Sequence, residues 1–127
     1  MKTASFFTTP LEGRISIARF APRRHPAGYR IYPKLAPGPW FNSVSEEEYR
    51  VRFATEILSK LDPQAAWDAL HTLSAPHEPI LLCYEKPGEF CHRRLVATWF
   101  EEALGVTVAE LVPVPAIASA PGLFDVK

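Results

Sequence analysis

The sequence is poor in cysteine and contains no long apolar run. With two cysteines among 127 residues, a disulfide-rich scaffold is excluded. No apolar stretch reaches the roughly 18 residues that a membrane-spanning helix needs, and the N-terminus shows no secretory signal. We therefore expect a cytoplasmic protein that does not associate with a membrane and whose two cysteines are reduced thiols.

Net charge is also lacking, but the charges that are present are unevenly distributed. The formal net charge is zero, whereas residues 1–40 contain a single acidic side chain, Glu12, against seven basic ones. The basic side chains are Lys2, Arg14, Arg19, Arg23, Arg24, Arg30 and Lys34. Such an asymmetry indicates either an anionic partner near the basic segment or two halves that neutralise each other in the fold.

The length and composition indicate one globular domain. A chain of 127 residues with 47% hydrophobic and 22% charged residues can bury a core without disulfides or metals. We expect residues 1–112 to form a single α/β domain. Residues 113–127 are rich in proline and alanine and are expected to be a tail, which offers a docking segment for a protein partner at Leu123 and Phe124.

The order of apolar patterns predicts alternating strands and helices. Apolar or β-branched runs predict strands at residues 14–20, 79–85 and 106–112. Apolar residues at spacings of three and four predict helices at residues 45–60, 62–73 and 89–104. Because helical segments connect the strands, we expect a small, mostly parallel sheet with flanking helices in one compact domain.

The junction between the strand at residues 79–85 and the helix at residues 89–104 concentrates the reactive side chains. Cys83 lies near the carboxyl end of this strand, and Cys91 and His92 fall near the first turn of the helix. The helix is expected to end before Gly105, a residue type favoured just after a helix. Ligands of parallel α/β sheets bind outside the carboxyl ends of the strands, so this junction is the candidate site.

The pattern of this site is typical of anion binding. A helix N-terminus favours negative charge, and an arginine in the first helical turn, Arg93, would hold a phosphate together with Arg19. The other candidate ligand-binding residues are Cys83, Tyr84, Arg23 and Lys34. Arginines interleaved with aromatic residues in the loop of residues 21–43 also suit stacked bases. The expected ligand is therefore nucleotide-like or a nucleic acid.

The same junction contains candidates for catalysis. Glu85 and His92 are possible general acids or bases, and Cys91 is a possible nucleophile, since basic neighbours and a helix N-terminus favour a thiolate. A buried Cys91 thiol that contributes only shape fits the pattern equally well. The sequence therefore leaves open whether the protein is an enzyme, and a non-catalytic module that binds nucleic acid or a protein is the alternative.

Two further interpretations compete with an anion site. Cys83, Cys91 and His92, with His25 or His77 as a fourth ligand, would form a metal site, but the paired C-x-x-C spacing that marks zinc sites is absent. We therefore expect neither a metal nor a cofactor. Alternatively, Arg93 and Arg94 are solvated and His92 is a core or surface histidine.

The segment from Leu81 to Lys86, followed by Cys91-His92-Arg93-Arg94, resembles the family called domain of unknown function 488. Ser16 to Arg19 and the Tyr32-Pro33 pair resemble its compact branch. The resemblance implies a small α/β domain in which one polar cluster comprises Arg19, Cys83, Glu85, Cys91, His92 and Arg93. It implies no particular activity. Members are common in bacteria and phages, and a role around nucleotides or nucleic acids has been suggested for them.

Overall fold

A sheet of parallel strands, five of them among the described residues, lies at the centre of the fold. The computed structural model describes residues 1–6, 12–20, 29–85 and 88–112. The strands are β1 (Lys2–Ser5), β2 (Arg14–Ser16), β3 (Arg30–Ile31), β4 (Ile80–Cys83) and β5 (Ala109–Glu110), and their order across the sheet is β3-β2-β4-β1-β5. Every pairing between neighbours is parallel. This confirms the predicted α/β class.

Three α-helices flank the sheet within the described part of the chain. They are α1 (Glu46–Arg52), α2 (Pro63–Ser74) and α3 (His92–Leu104). Helix α1 continues through a π-helical turn, Phe53–Ile57, and a 3₁₀ turn, Leu58–Lys60. Its first turn is capped by the Ser45 hydroxyl, which accepts a hydrogen bond from the Glu48 N–H at 3.1 Å, as a capping serine does. No helix in the described part of the chain is long and apolar enough to cross a membrane.

The sheet separates two apolar clusters. The larger cluster joins β2 and β4, through Ile15 and Leu81, to side chains of all three helices, including Leu70 and Phe100. The smaller cluster lies around Ile80, Leu82, Ala4, Phe6 and the two cysteines. Because Leu81 belongs to one cluster and its two neighbours belong to the other, β4 is buried on both faces, as expected for a central parallel strand.

The connection from β4 to α3 positions the candidate site. Cys91 has an extended backbone, with φ −153° and ψ 143°, and it is the N-cap of α3. Its carbonyl accepts the first helical hydrogen bond, from the Arg94 N–H at 3.0 Å. Helix α3 therefore begins at His92 and not at residue 89, as the apolar spacing predicts. It ends as predicted at Gly105, whose φ of 69° lies in the left-handed region.

The strands at the N-terminus differ most from the sequence prediction. Strand β1 was not predicted, although it lies between β4 and β5 and pairs with both. Four residues are too few to show a periodic pattern, and the two neighbouring strands supply the hydrogen bonds that stabilise β1. The predicted first strand, residues 14–20, is shorter in the structure and ends at Ser16. Arg23 and the tail at residues 113–127 lie outside the described residues.

Candidate functional site

A cavity of about 380 Å³ opens at the carboxyl ends of β2 and β4. The residues that follow β2, from Ala18 to Phe20, line one side of it, and residues from Cys83 to Glu85 line another. The starts of α1 and α3 complete the walls. Five aromatic side chains line the cavity: Phe20, Phe41, Tyr49, Tyr84 and Phe90. Its place in the fold is the one where parallel α/β sheets bind ligands.

Hydrogen bonds and ring contacts hold the aromatic walls in place. The Tyr84 hydroxyl donates a hydrogen bond to the Phe20 carbonyl at 2.5 Å, which ties the ends of β4 and β2 together. The Tyr49 ring meets the Phe90 ring edge-on at a centroid distance of 5.1 Å, a favoured aromatic geometry. Burial, and secondly the Glu85 carboxylate, raise the pKa of the Tyr49 phenol, so Tyr49 remains a neutral hydrogen-bond donor.

Arg19 is the one cationic side chain among the described residues that line the cavity. Its Nη1 donates a hydrogen bond to the Pro37 carbonyl at 3.2 Å, and its guanidinium carbon lies 5.5 Å from the centre of the Phe20 ring. Arg19 is exposed, as are the two carboxylates that line the cavity, Glu46 and Glu85. One contact to a carbonyl leaves other guanidinium N–H groups available to a ligand.

Cys83 and Cys91 lie at the inner wall of this cavity with their two sulfur atoms in contact. The end of β4 and the N-cap of α3 bring the sulfurs together, and the expectation of two reduced thiols stays a prediction. Cys91 is a nucleophile only while this pair is reduced. Both residues are almost completely buried.

His92 is buried next to the two cysteines and has a fixed orientation. Its Nε2 lies 2.7 Å from the Ile17 carbonyl, and since a carbonyl only accepts, Nε2 must be the protonated nitrogen. Nδ1 is then an acceptor, and it lies 3.8 Å from the Cys91 sulfur. Burial, together with the neighbouring charge of Arg93, lowers the pKa of His92 to about 4 despite the hydrogen bond to Ile17. His92 is therefore neutral at physiological pH and lacks the proton that a general acid would donate from Nδ1.

Arg93 does not line this cavity but forms a buried ion pair. Its Nη2 lies 2.7 Å from Oε2 of Glu110 on β5, and its Nε donates to the same carboxylate at 3.1 and 3.2 Å. The Arg93 Nη1 donates to the Cys83 sulfur at 3.1 Å. Burial alone would raise the pKa of Glu110, but hydrogen bonds from Arg93 and Thr3 outweigh it and lower the pKa. The charge of Arg93 is thus neutralised within the protein by Glu110, and its expected role toward an anion stays a prediction.

The structure brings most of the predicted site residues together. Those that line the cavity are Arg19, Cys83, Tyr84, Glu85, Cys91 and His92. Lys34 is exposed on a 3₁₀ helix, Pro33–Leu35, and is not among the residues that line it. Arg23, the remaining candidate, lies outside the described residues.

Sequence reasoning missed several residues that shape the site. Tyr49 and Phe90 belong to apolar helical patterns, which predict a packing role and give no sign of a cavity wall. Phe41 lies in an irregular segment without a periodic signal. Glu110 was not associated with Arg93, although an acidic residue within a short β-branched run was a detectable anomaly, because carboxylates are rarely buried without a partner.

Within the described residues, Cys83, Cys91 and His92 form a group with the spacing of metal ligands. The two sulfurs and a ring nitrogen of His92 all lie within 4.8 Å of one another. The proposed fourth ligand His77 is exposed and lines a different cavity, near Gly13 and Arg14, and His25 lies outside the described residues. Two thiolates and one imidazole suit a soft divalent ion such as zinc, so only the reduced form of the cysteine pair could bind it.

Comparison with known proteins identifies the family of the chain. The model of the DUF488-N3a family, described as the active DUF488-N3 subclade, matches residues 9–104. The chain therefore belongs to the DUF488 family, which confirms the resemblance seen in the sequence. No curated protein and no solved structure shows a significant match. The match includes all the residues that line the cavity, whereas Glu110 lies beyond its end.

Proposed function

We propose that this domain binds a nucleotide-like or nucleic-acid anion in the cavity at the ends of β2 and β4, at residues that are also the candidates for chemical processing of that anion. The observation that carries the proposal is that five aromatic side chains and the guanidinium of Arg19 line one cavity of about 380 Å³. This volume lies in the range typical of small-molecule sites. The family description of an active subclade supports a chemical role in addition to binding.

The two parts of a nucleotide require different partners, and the cavity contains both. A flat base stacks on aromatic rings, an interaction worth about 1–3 kcal/mol per base. The exposed guanidinium of Arg19 pairs with a phosphate through charge-assisted hydrogen bonds. The carboxylates of Glu46 and Glu85 line the same cavity and can accept hydrogen bonds from base amino groups or sugar hydroxyls. Arg93, the other arginine expected at the site, has no part in this proposal because Glu110 neutralises it.

For the chemical step, Glu85 is the acid or base and Cys91, when reduced, is the nucleophile. Glu85 is exposed and lines the cavity, so its carboxyl group can exchange protons with a bound ligand. Nδ1 of neutral His92 lies on the side of the Cys91 sulfur and can accept a hydrogen bond from the Cys91 thiol. If Cys83 and Cys91 were oxidised to a disulfide, no thiol would be free, and the domain would then be the second candidate, a module that binds the anion without converting it.

Replacing Arg19 is expected to weaken the binding of phosphate-bearing ligands selectively. Thermal unfolding of the wild-type protein would be followed with nucleosides, nucleotides, sugar phosphates and short single-stranded DNA. A ligand at 100 times its Kd stabilises the fold by about 2.7 kcal/mol, which raises Tm by several degrees. In Arg19→Gln, we expect nucleotide affinity to fall about tenfold or more, because a charge-assisted hydrogen bond is lost, while nucleoside affinity changes little.

The matched control is Arg30→Gln, which removes an exposed arginine from β3, outside the lining of this cavity. Equal losses in the two variants would show general electrostatics and no site at Arg19.

A second experiment tests chemical processing: the same mixtures of protein and ligand, with the protein reduced beforehand, would be analysed by chromatography after incubation. A product whose formation is lost in Glu85→Gln supports processing, whereas an unchanged ligand assigns the cavity to binding alone.

A further inference from the structure

We infer that Cys83 and Cys91 form a redox-active pair that exchanges two electrons with small thiols and disulfides entering the cavity. The two sulfurs lie in contact with each other, so that they can form a disulfide on oxidation. Both residues are almost completely buried, but both line the cavity, which is the route by which a small reagent would approach them. This activity goes beyond nucleotide binding and does not depend on it.

The Cys83 sulfur is placed to be the leaving group. The Arg93 Nη1 donates to it at 3.1 Å, and a guanidinium at this distance stabilises the negative charge of a thiolate. Two further guanidinium nitrogens of Arg93 are held by Glu110, so the group is already oriented before the disulfide opens. A stabilised thiolate leaves faster in thiol–disulfide exchange.

The Cys91 sulfur has a different environment, which suits the sulfur atom that the thiolate of a reagent attacks. Cys91 is the N-cap of the 13-residue helix α3, and its side chain makes no capping hydrogen bond. The unprotonated Nδ1 of His92 lies 3.8 Å from its sulfur and is oriented by the hydrogen bond from Nε2 to Ile17. When the disulfide opens, this nitrogen can accept a hydrogen bond from the Cys91 thiol.

The reaction with a small dithiol balances in two steps. A thiolate of the dithiol attacks the Cys91 sulfur, the Cys83–Cys91 bond breaks, and Cys83 leaves as a thiolate beside Arg93. The second thiol of the reagent, after losing its proton, attacks the reagent sulfur of the mixed disulfide, and Cys91 leaves. Two electrons and two protons pass from the dithiol to the protein, and the reagent becomes a cyclic disulfide. A small disulfide reverses the sequence.

The test measures the redox state of the folded wild-type protein. The protein is treated with dithiothreitol, then with oxidised glutathione, and free thiols are counted by alkylation and mass spectrometry after each step. We expect two thiols after reduction, none after oxidation, and an unchanged fold by circular dichroism. A disulfide that dithiothreitol reduces only in denaturant, or a reduced pair that binds zinc one to one and resists oxidation, would overturn the inference.

A pair of conservative variants tests the role of Arg93. Arg93→Lys keeps a positive charge opposite Glu110 but removes the donor to Cys83, so reduction by dithiothreitol should slow about tenfold. The control is Arg94→Lys, since Arg94 donates to Thr3 and Val108 and not to a sulfur. Equal rates in both variants and the wild type would remove Arg93 from the mechanism. Nucleotide-induced stabilisation, measured separately, distinguishes failure of this inference from failure of the proposed function.

Discussion

Replacing Arg93 with alanine is expected to destabilise the domain by about 3–5 kcal/mol, the usual cost of breaking a buried ion pair by removing one partner. The Arg93 side chain is only 1% exposed and the Glu110 side chain 16% exposed. Its removal leaves the Glu110 carboxylate without its main donor and opens a void at one of the largest fully buried side chains. Urea denaturation at pH 7 measures the loss.

Arg52→Ala provides a matched control for this variant. The Arg52 Nε lies 2.7 Å from Oε2 of Glu48, the same separation as in the buried pair, but both side chains are more than 40% exposed. Exposed ion pairs contribute about 0.2–1 kcal/mol, so the control should unfold at nearly the wild-type urea concentration. A similar small loss in Arg93→Ala would show that Arg93 is not a structural cation and would restore it as a candidate for anion binding.

Acidification is expected to destabilise the fold by about 3 kcal/mol through His92. The pKa of His92 falls from 6.5 to about 4 on folding, so between these pH values the unfolded chain binds a proton that the folded protein does not. Stability therefore falls as pH decreases through this window, by about 1.4 kcal/mol for each pH unit. Urea denaturation at a series of pH values from 7 to 4 measures the slope.

His92 and the acidic groups affect the stability of the fold in different pH ranges. Folding lowers the pKa of Glu78, chiefly through its hydrogen bond with the N-terminal ammonium, and also the pKa of Glu110. Their contributions are lost mainly below pH 4.5, the ordinary value for glutamate. Between pH 6.5 and 4.5, His92→Gln should reduce the slope, whereas His77→Gln, at an exposed histidine, should leave it unchanged. An unchanged slope in His92→Gln would contradict the buried neutral state of His92.

The sequence was sufficient to predict the unit formed by β4 and α3. Its apolar strand, the turn before Cys91 and the glycine at position 105 are local signals, because each depends on neighbouring residues along the chain. The resemblance to the DUF488 family rested on the same segment. The parallel sheet followed from the helices between the predicted strands.

The partners of the site residues could not be predicted in the same way. The pairing of Arg93 with Glu110 requires the position of β5 beside β1, and β1 itself has too few residues for a periodic signal. The contact between the two cysteine sulfurs depends on the extended conformation of Cys91, which shifts the start of α3 by three residues relative to the apolar pattern. Local patterns thus predicted which residues lie near the site. Only tertiary contacts determine which of these residues have a charge that no other side chain of the protein neutralises.

The most direct test of the cavity as a ligand site is a ¹H–¹⁵N NMR titration of the wild-type protein with nucleoside 5′-monophosphates. We expect saturable shifts of the backbone amides of Phe20, Tyr84 and Phe90, whose residues line the cavity. The amides of Gly13 and His77, which lie at the separate cavity, should remain unchanged. Shifts confined to that second region, or none at millimolar nucleotide, would contradict nucleotide binding at the ends of β2 and β4.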